Sequence, residues 1–120
     1  MNSKISLIVP VFNECDEIEN FFSNLKQCNF NLINEIIFIN DCSTDNSLDL
    51  LQKKINEFKS LFFNINLIVI NNLKNRGYGF SIKKGVYKSK NESIAIIDLD
   101  RTYKIDDLNK VTEIKDSILN

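Results

Sequence analysis

Four short apolar runs alternate with four segments whose apolar residues recur at helical spacing, and this alternation restricts the fold more than any other feature. The runs are Ile5 to Val11, Glu35 to Asn40, Ile65 to Ile70, and Ile94 to Asp98. Their length and β-branched content read as strands buried on both faces. Between them, Ile18, Phe21, Phe22 and Leu25 mark a helix over residues 16–27. Leu48, Leu51, Ile55 and Phe58 mark a second, entered through the cap chemistry of Ser43-Thr44-Asp45. A third runs from Gly77 to about Lys88, and Leu108, Val111, Ile114 and Ile118 suggest a fourth. This order calls for parallel strands, right-handed crossovers and helices on both faces. The expected fold is a three-layer α/β/α domain with a mostly parallel sheet.

Composition narrows the function classes. At 120 residues the chain suits one domain, and its net charge of −1 with dispersed basic residues offers no nucleic-acid footprint. No apolar run approaches the ~20 residues of a membrane span. The N-terminus has Lys4 and then a strand-like stretch holding Pro10, which is not a signal peptide, so a cytoplasmic chain is expected. Cys15, Cys28 and Cys42 form no Cys-x-x-Cys and read as free thiols. Histidine is absent, which removes Ser-His and Cys-His catalysis.

In parallel α/β sheets, ligands bind outside the carboxyl ends of the strands. Here those ends carry Pro10-Val11-Phe12-Asn13-Glu14, Asn40-Asp41-Cys42-Ser43-Thr44-Asp45, Asn75-Arg76-Gly77-Tyr78-Gly79, and Asp98-Leu99-Asp100. Solubility alone does not require polar residues at all four. The two carboxylates of Asp98-Leu99-Asp100 should project together from the fourth strand. Like charges about 5 Å apart repel by about 3 kcal/mol at an effective dielectric of 20, so a cation is expected there. Mg²⁺ holding a phosphate ester suits one or two carboxylates. Asp41 suits a nucleobase N–H or, equally, turn chemistry. Pro10 and Phe12 offer an apolar wall for a base, or ordinary core. Glu14 suits a base or ribose group, or a first-turn helix acid. Arg76, Lys83 and Arg101 are candidates to neutralise a diphosphate, or plain surface charge. Gly85 inside the third helix implies close packing on the sheet. Neither a dinucleotide fingerprint nor a Gly-Lys-Ser/Thr phosphate loop is present.

Taken in order, these four motifs, with Lys83 and Gly85, resemble the successive motifs of inverting family 2 glycosyltransferases of the GT-A fold. Within that family they look like the motifs of the dolichyl-phosphate-mannose-synthase-like branch. The resemblance implies sugar transfer from a UDP- or GDP-sugar to an acceptor, lipid-linked or polysaccharide, in cell wall, polysaccharide or glycolipid synthesis. By position, Pro10, Phe12, Glu14, Ile39 and Asp41 would line the base and ribose pocket. Asp98 and Leu99 would lie along the ribose and diphosphate. Asp100, with Asp98, would ligate Mg²⁺ or Mn²⁺. A setting peripheral to the membrane is compatible with this.

The departures are specific. Asn40 stands where the family usually has the first Asp of a pair, Cys42 replaces a common Gly, and Tyr78 replaces a common Lys. Arg101-Thr102-Tyr103 follows the acidic motif in place of a small residue and Gln. Family members continue for roughly another half, carrying the acceptor platform and the catalytic base. The resemblance therefore covers residues 1–120 as a donor-binding domain ending just after the Asp-x-Asp strand, and points to a C-terminal half or a partner chain. Asp106 and Asp107 look like first-turn helix residues, and no base is named. The other readings are a non-catalytic nucleotide-sugar-binding or partner module derived from such an enzyme, a metal-dependent nucleotidyltransferase and, ranked low, a receiver-type signalling domain.

Overall fold

The computed structural model describes residues 4–27, 32–61, 64–100, 113–115 and 119. In chain order the elements are β1 (Ile5–Val11), α1 (Cys15–Lys26), β2 (Ile33–Asn40), α2 (Ser47–Leu61), β3 (Asn66–Asn71), α3 (Tyr78–Lys88), β4 (Ser93–Ile96) and β5 (Glu113–Ile114). The sheet order is β3-β2-β1-β4-β5. The first four strands are mutually parallel, and β5 runs antiparallel to β4. The expected mostly parallel α/β sheet is the one found.

Alternation along the strands builds two cores, because successive side chains point to opposite faces. Leu7, Val9, Val11, Ile36 and Phe38 pack with Ile18, Phe21, Phe22 and Leu25 of α1 and Leu51, Ile55 and Phe58 of α2. Phe22 stacks on Phe38 at 5.6 Å between ring centroids, while Phe21 meets Phe38 edge-on at 5.7 Å. On the other face Ile8, Ile37, Ile39 and Ile94 pack with Ile82 and Val86 of α3. Gly85 is where α3 touches the sheet: a Cβ added there would lie 2.5 Å from Ile39 Cδ1 and 2.8 Å from Ile8 Cγ2.

Two expectations need correction. The helix expected around Ile114 is contradicted at that residue, since Glu113–Ile114 forms strand and pairs with Ser93 and Ile94. A short edge segment gains ladder hydrogen bonds there that outweigh its helical apolar spacing. Leu108, Val111 and Ile118 lie outside the described residues, as do Cys28, Arg101, Thr102, Tyr103, Asp106 and Asp107. The fourth strand also ends earlier than expected. It stops at Ile96, and Leu99 and Asp100 belong to a turn.

Candidate functional site

Three loops at the carboxyl end of the sheet are fastened to one another by side chains. Asn13 has a left-handed backbone, φ 52°. Its Oδ1 accepts from the Thr44 N–H at 2.7 Å and the Asp45 N–H at 3.3 Å, and its own N–H donates to Ser43 Oγ. Ser47 Oγ accepts the Glu14 N–H at 3.0 Å, and Asp45 Oδ1 accepts the Ser47 N–H at 2.8 Å. The loop after β1 is thus docked onto the loop that starts α2. Asp45, two residues before the first of α2, accepts a helix-entry N–H as the chemistry of Ser43-Thr44-Asp45 leads one to expect; burial would push its carboxyl up, but its hydrogen bonds with Ser47, Cys15 and its own backbone hold it below the ordinary value.

Asp41 fastens the third loop. Its Oδ1 accepts from the Arg76 N–H at 2.7 Å and the Asn72 amide at 2.8 Å, and Oδ2 accepts from the Gly77 N–H at 2.9 Å. Burial would push this carboxyl up, but the donors Arg76, Asn72 and Gly77 outweigh it and hold it below the ordinary range. Gly77 sits at φ 93°, a conformation that side-chain-bearing residues rarely adopt. That turn aims its N–H at Asp41 and starts α3. The sequence left Asp41 open between turn chemistry and ligand binding. The structure gives it the first role and also places it in a cavity wall.

That cavity, about 340 Å³, is lined by Pro10, Val11, Phe12, Glu14, Asp41, Asn75, Gly77, Tyr78, Ser81, Asp98 and Asp100. Its size falls within the range of small-molecule sites. Six of the expected site residues therefore meet: Pro10, Phe12, Glu14, Asp41, Asp98 and Asp100. Phe12 is 44% exposed, at the rim and not in the core. Two expected residues do not join them. Ile39 is fully buried beneath α3, and Leu99 is buried in the core on the α1 and α2 face. Both are apolar side chains of strands or turns that the sheet claims first.

Asp98 and Asp100 do reach one cavity, but not by the alternation of an extended strand, because a turn intervenes. Tyr78 Oη lies 2.9 Å from Asp98 Oδ1 and ties the start of α3 to the acidic turn. The sequence places Asn75 and Tyr78 in the motif after the third strand without a site role for either, and it does not single out Ser81. Ser81 follows Tyr78 by three positions, so helical spacing puts both on one face of the first turns of α3. That spacing was the available signal.

Among the described residues, four carboxylates line this cavity and no Lys or Arg does. The Arg76 guanidinium lies 5.4 Å from the centre of the Phe80 ring, outside the lining, and Lys83 is exposed on α3. Of the expected diphosphate neutralisers, Arg76 and Lys83 thus stand outside the lining, and Arg101 lies outside the described residues. Glu14 registers the imbalance. Its Oε2 is buried without a hydrogen-bond partner. Burial first, and then the charges of Asp100 and Asp98, push its carboxyl up. Among the described residues, no three of His, Cys, Asp or Glu converge to hold a metal by themselves. The donor set instead fits a hard cation that takes one or two carboxylates and completes its shell from a ligand's oxygens.

Comparison with known proteins gives the family of the chain. The model of the family described as "Glycosyl transferase family 2" matches residues 6–117. A dolichyl-phosphate beta-glucosyltransferase of Dictyostelium discoideum is 29% identical over 98% of this chain and 37% of its own length. That of Trichomonas vaginalis is 27% identical over 86% of this chain and 32% of its own. The chain thus spans about a third of the length of these relatives. Among solved structures, the Pyrobaculum calidifontis mannosyltransferase PcManGT, in complex with GDP-Man and Mn²⁺, superposes with a TM-score of 0.71 at 17% identity, over 89% of this chain and 30% of that one. S. aureus TarS 1-349 in complex with UDP gives 0.67 at 26% identity, over 81% and 27%. With the family model covering nearly the whole sequence, the chain belongs to glycosyl transferase family 2.

Proposed function

We propose that residues 1–120 form the donor-binding domain of a sugar transferase that takes a nucleoside-diphosphate sugar. One observation carries the reading: a cavity at the carboxyl ends of parallel strands joins an apolar wall to four carboxylates, Glu14, Asp41, Asp98 and Asp100. Pro10 and Phe12 supply a flat surface for a base. Asp41, held ionised by three donors, keeps one of its roughly four lone-pair directions for a base N–H. Gly77, Tyr78 and Ser81 bring the N-terminal end of α3 to the cavity, where the positive end of the helix dipole favours phosphate oxygens.

Asp100 and Asp98 would hold Mg²⁺ or Mn²⁺ there, and the bound cation would supply Lewis-acid stabilisation of the departing diphosphate. The chain's own work is to seat the base, fix the turn at Leu99 and keep the Tyr78 bridge closed over Asp98. The acceptor is read from the relatives. Their dolichyl-phosphate substrates suggest a lipid phosphate, hence action at a membrane surface. Among the described residues no helix is long and apolar enough to cross a membrane.

Calorimetry of UDP-glucose and GDP-mannose against this chain, with Mn²⁺ or with EDTA, tests the reading. Binding is expected only with the cation. Asp100→Ala should weaken it at least about tenfold, equivalent to about 1.4 kcal/mol. Equal binding with chelator would remove the cation from the site.

A further inference from the structure

Behind the cavity wall lies a polar chain that the family motifs do not include. Asn72, just past β3, is 5% exposed and carries no sequence motif of its own. Its Nδ2 donates to Asp41 Oδ1 at 2.8 Å and to Ser81 Oγ at 3.1 Å. Its Oδ1 accepts from the Lys84 ammonium at 3.1 Å. Lys84 is half-buried on α3 and does not line the cavity. It faces a separate groove, with Lys74, Arg76 and Phe80.

We propose that Lys84 is a positioning residue for the donor pocket, acting through the Asn72 amide on Asp41. The proposal rests on reading Asp41 as a donor contact. An ammonium has donors only, so the end of the amide facing Lys84 must be its oxygen. The NH₂ end is then committed to Asp41 and Ser81. With the Arg76 N–H also on Oδ1, that oxygen is filled. The remaining lone-pair direction belongs to Oδ2, which otherwise holds only the Gly77 N–H. A turned amide would set oxygen against oxygen at Asp41. The carboxylate would then be free to leave the Arg76 and Gly77 N–H groups, and the loop that forms one side of the cavity would go with it.

The competing account is that Lys84 merely shields Phe80, whose ring centre lies 5.8 Å from its ammonium. The experiment compares Lys84→Met, which keeps the stem without a donor, and Lys84→Arg, which keeps a cationic donor. The first readout is on the free chain. Backbone amide signals of Arg76 and Gly77 should move in Lys84→Met and return in Lys84→Arg. The second readout is Mn²⁺-dependent UDP and GDP binding, expected to fall about tenfold in Lys84→Met, the loss of a hydrogen bond with a charged partner, and to recover in Lys84→Arg. Unmoved Arg76 and Gly77 signals, or unchanged nucleotide binding in a folded Lys84→Met, overturn the proposal. Asp41→Asn separates the two levels. If it binds UDP and GDP as well as the parent chain does, the donor reading of Asp41 is wrong, and the proposal falls with it. If Asp41→Asn loses binding while Lys84→Met does not, only the role of Lys84 is wrong.

Discussion

Cys42 shows what a single backbone angle asks of a side chain. The residue sits at φ 59°, in the left-handed region that favours Gly. A side chain there costs roughly 1–2 kcal/mol per residue. Its thiol recovers little, with a weak contact of 3.7 Å to the Leu73 carbonyl. Glycine would relieve the strain but enlarge the unfolded ensemble by about 0.4–1 kcal/mol. Cys42→Gly should therefore be neutral or stabilising by up to about 1.6 kcal/mol, the difference of those two effects. Cys42→Val, β-branched at the same angle, should lose about 2 kcal/mol. Urea unfolding of both variants decides it, and equal stabilities would mean that the angle carries no strain. Among the described residues Asn13 is the other non-glycine with positive φ, and it compensates through three hydrogen bonds that its side chain accepts.

At the level of elements, the sequence was most legible where periodicity and burial agree. Helices α1 and α3 and strands β1 and β2 fall within two residues of expectation, because their apolar faces leave one register that buries them. The ends were less legible. Nothing local in Ile94 to Asp100 distinguishes a continuing strand from a turn, and the outcome depends on tertiary partners such as Tyr78. The same holds for the site. Asp98 and Asp100 could be named from their place in the chain, whereas the donors around Asp41 come from residues 31 to 36 positions away. Gly85 was readable as a packing glycine, and its environment makes the reading quantitative. Alanine there would gain about 1 kcal/mol of helix propensity but overpack Ile8 and Ile39 by about 1–3 kcal/mol. Gly85→Ala should therefore destabilise the chain by about 1 kcal/mol net, or move α3 off the sheet. Denaturant midpoints measure it, and a stabilised variant would show that the two isoleucines yield freely.

For the molecule as a whole, the cavity sets the dependence of stability on pH and on cations. The Glu14 carboxyl is raised in the folded chain by burial and then by Asp100 and Asp98, so folding takes up its proton more readily than the unfolded chain does. Its contribution is therefore fully present below the ordinary value near 4.5 and is lost as pH rises through the folded value. Asp41 and Asp45 act with the opposite sign. Both are held below the ordinary value near 3.8, so their stabilisation is present above it and is lost as pH falls through their folded values. Stability should peak above the folded values of Asp41 and Asp45 and decline as pH rises through the folded value of Glu14. Glu14→Gln removes the declining limb, and its Tm at pH 7 should exceed that of the parent, by about 4 °C for each kcal/mol relieved. A cation among the same carboxylates opposes the same repulsion. Mn²⁺ should therefore raise the parent's Tm more at pH 7 than at pH 5, and raise that of Glu14→Gln less. Thermal unfolding at both pH values, with and without Mn²⁺, tests the pair. If Mn²⁺ shifts the two proteins equally at both pH values, it binds elsewhere and the repulsion at Glu14 is not what the cation relieves.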